Sequence, residues 1–146
     1  MATKGMIDCL NETITNSTLT ANNISSQIIV LDDNWFEFVT VDAENHLLDL
    51  VHQVLTLINN WRMTHRNSIM PGLMNLMGCH PSQADKLAQI INSTKGIILS
   101  EYKRWISRIP EGIESIDNLN PLLIKIRDKM IEIDSSIKTV VESIIE

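Results

Sequence analysis

The last stretch of the chain carries an unbroken heptad. Leu119, Leu123, Ile126, Met130, Ile133, Ile137, Val140 and Ile144 follow one another at alternating steps of four and three. Only an α-helix brings such positions onto one stripe, so this segment must be helical and must bury that stripe. Ile124, Ile131, Val141 and Ile145 widen the apolar arc to about 160°, taking 100° per residue. An arc that wide touches more than one neighbour. Ile at both core positions favours three or four strands over two in parallel coiled coils. The expectation is a seam that packs inside the protomer along part of its arc and self-associates along the rest, with a homotrimer or homotetramer favoured.

The segments before it follow the same period. Leu47, Val51, Val54, Ile58 and Trp61 form a continuous seam, widened by Leu48, Leu50, Leu55 and Leu57. Asp42 caps this helix, and Pro71-Gly72 predicts its end near Arg66. Leu73, Met74 and Met77 predict a short turn of helix closed by Gly78. Pro81-Ser82 opens another long helix, with Leu87, Ile91, Thr94, Ile98, Tyr102, Trp105 and Ile109 on one side and Pro110 at its end. A connector over 111–118 leads to Asn120-Pro121, read as the cap and first residue of the final helix.

The N-terminal part is less regular. Met6, Ile7, Leu10 and Ile14 predict a short helix over 5–15, and the polar, β-branched Thr15–Ser26 predicts an extended arm. Gln27–Leu31 and Trp35–Val41 alternate like strands around Asp32-Asp33-Asn34, which predicts a β-hairpin. The fold class expected is mainly α: a helical bundle of three long helices with short connecting helices and a small N-terminal hairpin. A single domain would comprise an arm over 1–26, the hairpin over 27–41 and the bundle over 42–146.

Bulk properties narrow the function. Of 146 residues, 44% are hydrophobic and 4% aromatic, so the core is aliphatic. A net charge of −6 opposes nucleic acid as the main partner and opposes an anionic membrane surface. No apolar run reaches membrane-spanning length, and no N-terminal signal peptide is read. The expectation is an intracellular protein, or one inside a particle assembled in a cell. The sequons at Asn11, Asn16, Asn23 and Asn92 are read as composition, and Cys9 and Cys79 do not make a disulfide framework.

Chemical motifs are sparse. His46, Asp49 and His52 share a helix, but the two His lie about 120° apart around its axis, so they read as a polar strip rather than metal ligands. His65, Cys79 and His80 lie among Met70, Met74 and Met77, a soft donor set without ligand spacing. A phosphotransfer role for His65 would need an uninterrupted helix beyond it, and Pro71 follows within two turns. There is no Gly-x-Ser-x-Gly elbow, no Gly-rich phosphate loop and no EF-hand pattern. No catalytic residue, metal or cofactor is expected. Tyr102 and Trp105, beside Lys103 and Arg104, read as core anchors that would form a protein-binding hot spot if exposed.

These readings lead to a non-enzymatic assembly or interaction protein that self-associates through its C-terminal helix, in the manner of a viral or phage structural or accessory protein. The competing reading is a monomeric helical adaptor that takes a partner helix or peptide in an apolar groove lined by Met70, Met74 and Met77. A His-based phosphorelay or metal-binding module is third.

Overall fold

The computed structural model describes residues 2–26, 43–111 and 116–144. Helix α1 spans Ala2–Asn22 and α2 spans Ala43–Thr64. A π-turn over His65–Ile69 joins α2 to α3, Met70–Cys79. A 3-10 turn, Pro81–Gln83, leads to α4, Ala84–Glu111, and α5 covers Ile116–Glu142. The mainly α class expected from the sequence holds, and the described residues contain no strand. The hairpin predicted over 27–41 lies outside the described residues. None of the helices described is long and apolar enough to cross a membrane.

The N-terminal expectation is corrected. Residues 15–22 continue α1 rather than forming an extended arm, and helix resumes over 24–26 after a turn at Asn23. The reason lies in two features of this Thr-rich segment. Ile7, Leu10, Ile14, Ser17, Ala21 and Ile24 are all buried at steps of three and four, so the heptad runs on through a serine and an alanine. Meanwhile the hydroxyls of Thr13, Thr15, Thr18 and Thr20 lie within hydrogen-bond distance of the carbonyls four residues back. Those bonds let a β-branched polar residue sit in a helix with its hydroxyl satisfied. Burial of the apolar edge then supplies what intrinsic propensity lacks.

The helix predicted to end near Arg66 does not end there. It widens instead. The Met70 N–H bonds the His65 carbonyl, five residues back, and Pro71 follows at the start of α3. Proline has no N–H, and its ring clashes with the carbonyl four residues before it in a regular α-helix. One extra residue in the turn relieves that clash, as π-bulges do. The chain therefore stays helical from Ala43 to Cys79. At the other end, α5 begins at Ile116 rather than at the predicted Asn120-Pro121. Pro121 falls early in that helix, and Leu119 and Asn120 are both buried within its first turns.

Contacts fix the helix directions. Cys79 Sγ lies 3.8 Å from Met6 Sδ and Ser17 lies beside His65, so α1 runs antiparallel to α2 and α3. Lys86 Nζ bonds Ser143 Oγ at 3.2 Å, which sets α4 antiparallel to α5. Around the axis α1 neighbours α2–α3 on one side and α5 on the other, and α4 completes the ring. Trp61, Ile58, Ile69, Leu73, Leu76, Leu87, Ile109 and Leu123 are fully buried at the centre.

Gly72 marks the closest approach of α3 to α1, because a Cβ there would sit 2.9 Å from Leu10 Cδ1. Gly96 faces open space on α4. In urea denaturation, Gly72→Leu is expected to lower stability by about 1–3 kcal/mol through overpacking. Gly96→Ala is expected to raise it by up to about 1 kcal/mol through helix propensity alone.

Candidate functional site

One layer of the structure joins all four helical segments through polar and aromatic side chains. Asp134 of α5, with no exposed surface, sits at its centre. Its Oδ1 accepts a bond from His65 Nε2 at 2.6 Å. Its Oδ2 accepts from Ser17 Oγ at 2.9 Å and from Trp61 Nε1 at 3.1 Å. Thr18 Oγ1 is 3.3 Å from the same oxygen and 3.1 Å from the Ile14 carbonyl, so its single proton favours the carbonyl. Trp61 stacks at a tilt on His65, with centroids 4.4 Å apart, and on Trp105 of α4 at 6.2 Å. A carboxylate taken wholly out of water is tolerated only when its lone pairs are satisfied this fully.

Serine, histidine and aspartate together suggest acyl transfer, and the geometry decides against it. In a nucleophilic triad the histidine offers one ring nitrogen to the serine and the other to the acid. Here Ser17 Oγ, 3.3 Å away, and Asp134 meet the same nitrogen, Nε2. The Ser17 proton is directed at Asp134, and Ser17 and His65 are each 1% exposed. The cluster holds helices together. It does not present a nucleophile.

His65 also belongs to a second feature. A cavity of ≈390 Å³ opens between α2–α3 and α4, with His65 among the residues that line it. Arg62, Arg66, Met70 and Met74 form one wall. Steps of four drift by about 40° each in a regular α-helix. The π-turn between Arg66 and Met70 takes up part of that drift and keeps the four on one line. Ile91, Lys95 and Leu99 form the facing wall, and the buried His65 and Ile98 lie at the floor. Met74 and Leu99 are 59% and 47% exposed, the largest apolar exposures of the groove. A second depression, lined by Lys86, Gln89, Asn92 and Ser93, is more open and more polar.

The sequence-predicted residues distribute unevenly over these features. Leu119, Leu123, Ile126, Met130, Ile133, Ile137 and Ile144 are all buried inside the single chain. Val140 is half-buried, and Val141 takes its place in the core. Trp105 is a core residue against Trp61. Tyr102 is half-buried, with the Arg62 guanidinium 4.2 Å over its ring and its hydroxyl 3.4 Å from Asn59 Oδ1. Cys9 and Cys79 are free and exposed. Among the described residues no three His, Cys, Asp or Glu side chains converge as metal ligands.

Sequence reasoning missed Ser17, His65 and Asp134 as one cluster. Two of the three left a signal, since Ser17 and His65 each fall on an apolar seam where a hydrophobic residue is expected. Asp134 lies one position off its own seam and left none. No family model, curated protein or solved structure matches the chain.

Removing one partner of a buried charge network strands the others. Asp134→Ala is expected to destabilise the fold by about 3–5 kcal/mol in urea unfolding. Replacing the cluster as a unit, Ser17→Ala with His65→Leu and Asp134→Leu, is expected to be neutral or stabilising by about 1–4 kcal/mol, because no polar group is left unpaired. A triple variant as unstable as the single one would show that packing, not polar satisfaction, sets the energetics of this layer.

Proposed function

We propose that the protein is a non-enzymatic interaction module that receives a partner helix or peptide in the groove between α2–α3 and α4. The observation that carries this reading is where apolar surface remains. Seven of the eight seam residues of the C-terminal helix are spent inside the chain's own core. Self-association along that seam would require the core to open. Met74 and Leu99 stay exposed on facing walls of a cavity of ≈390 Å³. Helix-in-groove recognition uses such a surface, and Met suits it because its unbranched side chain adapts to the shape it meets.

Self-association retains one supporting observation on a different face. Ile106 of α4 and Ile124 of α5 are 39% and 38% exposed on neighbouring helices. The patch they make is small and convex, and it ranks below the groove for that reason.

Two measurements test the reading. Light scattering across a dilution series is expected to give a monomer, with Ile133→Asp/Ile137→Asp unfolding the chain rather than yielding a folded, smaller species. A stable trimer that the same pair converts to folded monomer would restore assembly through α5. The neutral fluorophore N-phenyl-1-naphthylamine is expected to bind in the groove and to lose at least about tenfold in affinity with Met74→Asp/Leu99→Asp, a substitution of exposed side chains that leaves the fold intact.

A further inference from the structure

We infer that the groove selects an acidic amphipathic helix, one with carboxylates at one end of its apolar face and aliphatic side chains at the other. This rests on the groove reading given above and adds the partner's charge and its layout.

The chain carries 12 Lys and Arg against 18 Asp and Glu, yet the charged residues that line the groove are all basic. Arg62, Arg66 and Lys95 converge on it from both walls, and no acidic side chain joins them. The ion pairs of the described residues lie elsewhere, at Glu101–Arg104, Arg127–Asp128 and Lys129–Glu132. These three cations therefore repel one another across an apolar cleft with no carboxylate of the described chain between them. An anionic partner removes that repulsion and gains attraction at once.

The order along the groove sets the partner's layout. Arg62 and Arg66 lie one helical turn apart at the end where Tyr102 packs under Arg62. Met74 and Ile91 lie at the other end, next to the Pro81–Gln83 turn, with Lys95 and Met70 between. From residue 62 to residue 74 the groove runs about 18 Å, or some three turns of a partner helix. A cavity of ≈390 Å³ admits side chains but not a helix of about 10–12 Å diameter. The partner's backbone must therefore ride above the groove and lower side chains into it. Carboxylates four residues apart match the spacing of Arg62 and Arg66, and Leu, Ile or Phe one and two turns further on meet Met70, Ile98 and Met74.

The test uses calorimetry on the full chain with three capped peptides of about fourteen residues. They share one helical frame with Leu at the apolar positions and differ only in a terminal pair four residues apart, which is Glu, Gln or Lys. The Glu peptide is expected to bind at least about tenfold more tightly than the Gln peptide, with the Lys peptide weakest. Arg66→Glu/Lys95→Glu, two exposed residues without ion pairs, is expected to keep the urea midpoint and to invert that order. Raising salt from about 0.05 M to about 0.5 M is expected to compress the difference, since the charges are exposed. Equal binding of the three peptides, a preference for Lys, or an order unmoved by the double substitution would overturn the acidic assignment. Neutral fluorophore binding without any peptide binding would overturn the helix partner and leave a groove for small apolar ligands. Loss of fluorophore binding as well would overturn the groove reading itself.

Discussion

The carboxylate of Asp134 is the point on which the interior depends. It stands at the centre of an aliphatic core and draws donors from α1 and from the last turns of α2, while Trp61 carries the contact on to Trp105 in α4. A core of Ile and Leu alone would let helices slide or rotate by a turn at small cost, because aliphatic side chains are interchangeable along a heptad. A buried charge cannot be interchanged. Only one axial alignment of the helices brings Ser17, Trp61 and His65 to the same carboxylate, and every slipped arrangement leaves it unpaired. Buried polar groups are best attested in this role of setting register. The cluster accounts for helix alignment, as a serine–histidine–aspartate set with shared use of one ring nitrogen should.

Much of this was legible in the sequence, and the exceptions share a physical cause. The seams of α4 and α5 read correctly almost residue by residue, since Leu87, Thr94, Ile98, Trp105 and Ile109, and Leu119 through Ile137, are buried as their spacing implies. Those seams are aliphatic and uninterrupted. In α1 the same spacing passes through Ser17 and Ala21, and a run rich in Thr looks extended when hydroxyls are counted as helix-breaking. The bonds that reconcile those hydroxyls with a helix are made to the helix's own carbonyls, and composition does not reveal them. Pro71 misled in a related way: a proline signals that a regular α-helix stops, and it is silent on whether the chain turns away or widens by a residue. The groove was half legible. Met70 and Met74 stood out as adaptable lining, whereas the facing wall from α4 required knowing which helices are neighbours.

The C-terminal seam shows how far periodicity reaches. An apolar arc of that breadth correctly demands more than one neighbour, and it does not say whether those neighbours belong to the same chain. Here α5 lies between α1 and α4, which together cover the arc. A heptad counts the partners of a helix without naming the molecule that supplies them.

The π-turn at His65–Ile69 has a consequence for how such a chain can diverge. It sits between the half of the helix that carries Trp61 and His65 into the core and the half that carries Met70 and Met74 to the groove. Loss of one residue there would return the helix to a regular α-helical path and rotate everything after it by about 100° relative to everything before. The buried layer would survive upstream while the wall of the groove turned to a new face. A single-codon insertion or deletion at this turn is thus a natural unit of variation for the binding surface, one that leaves the alignment of the core untouched.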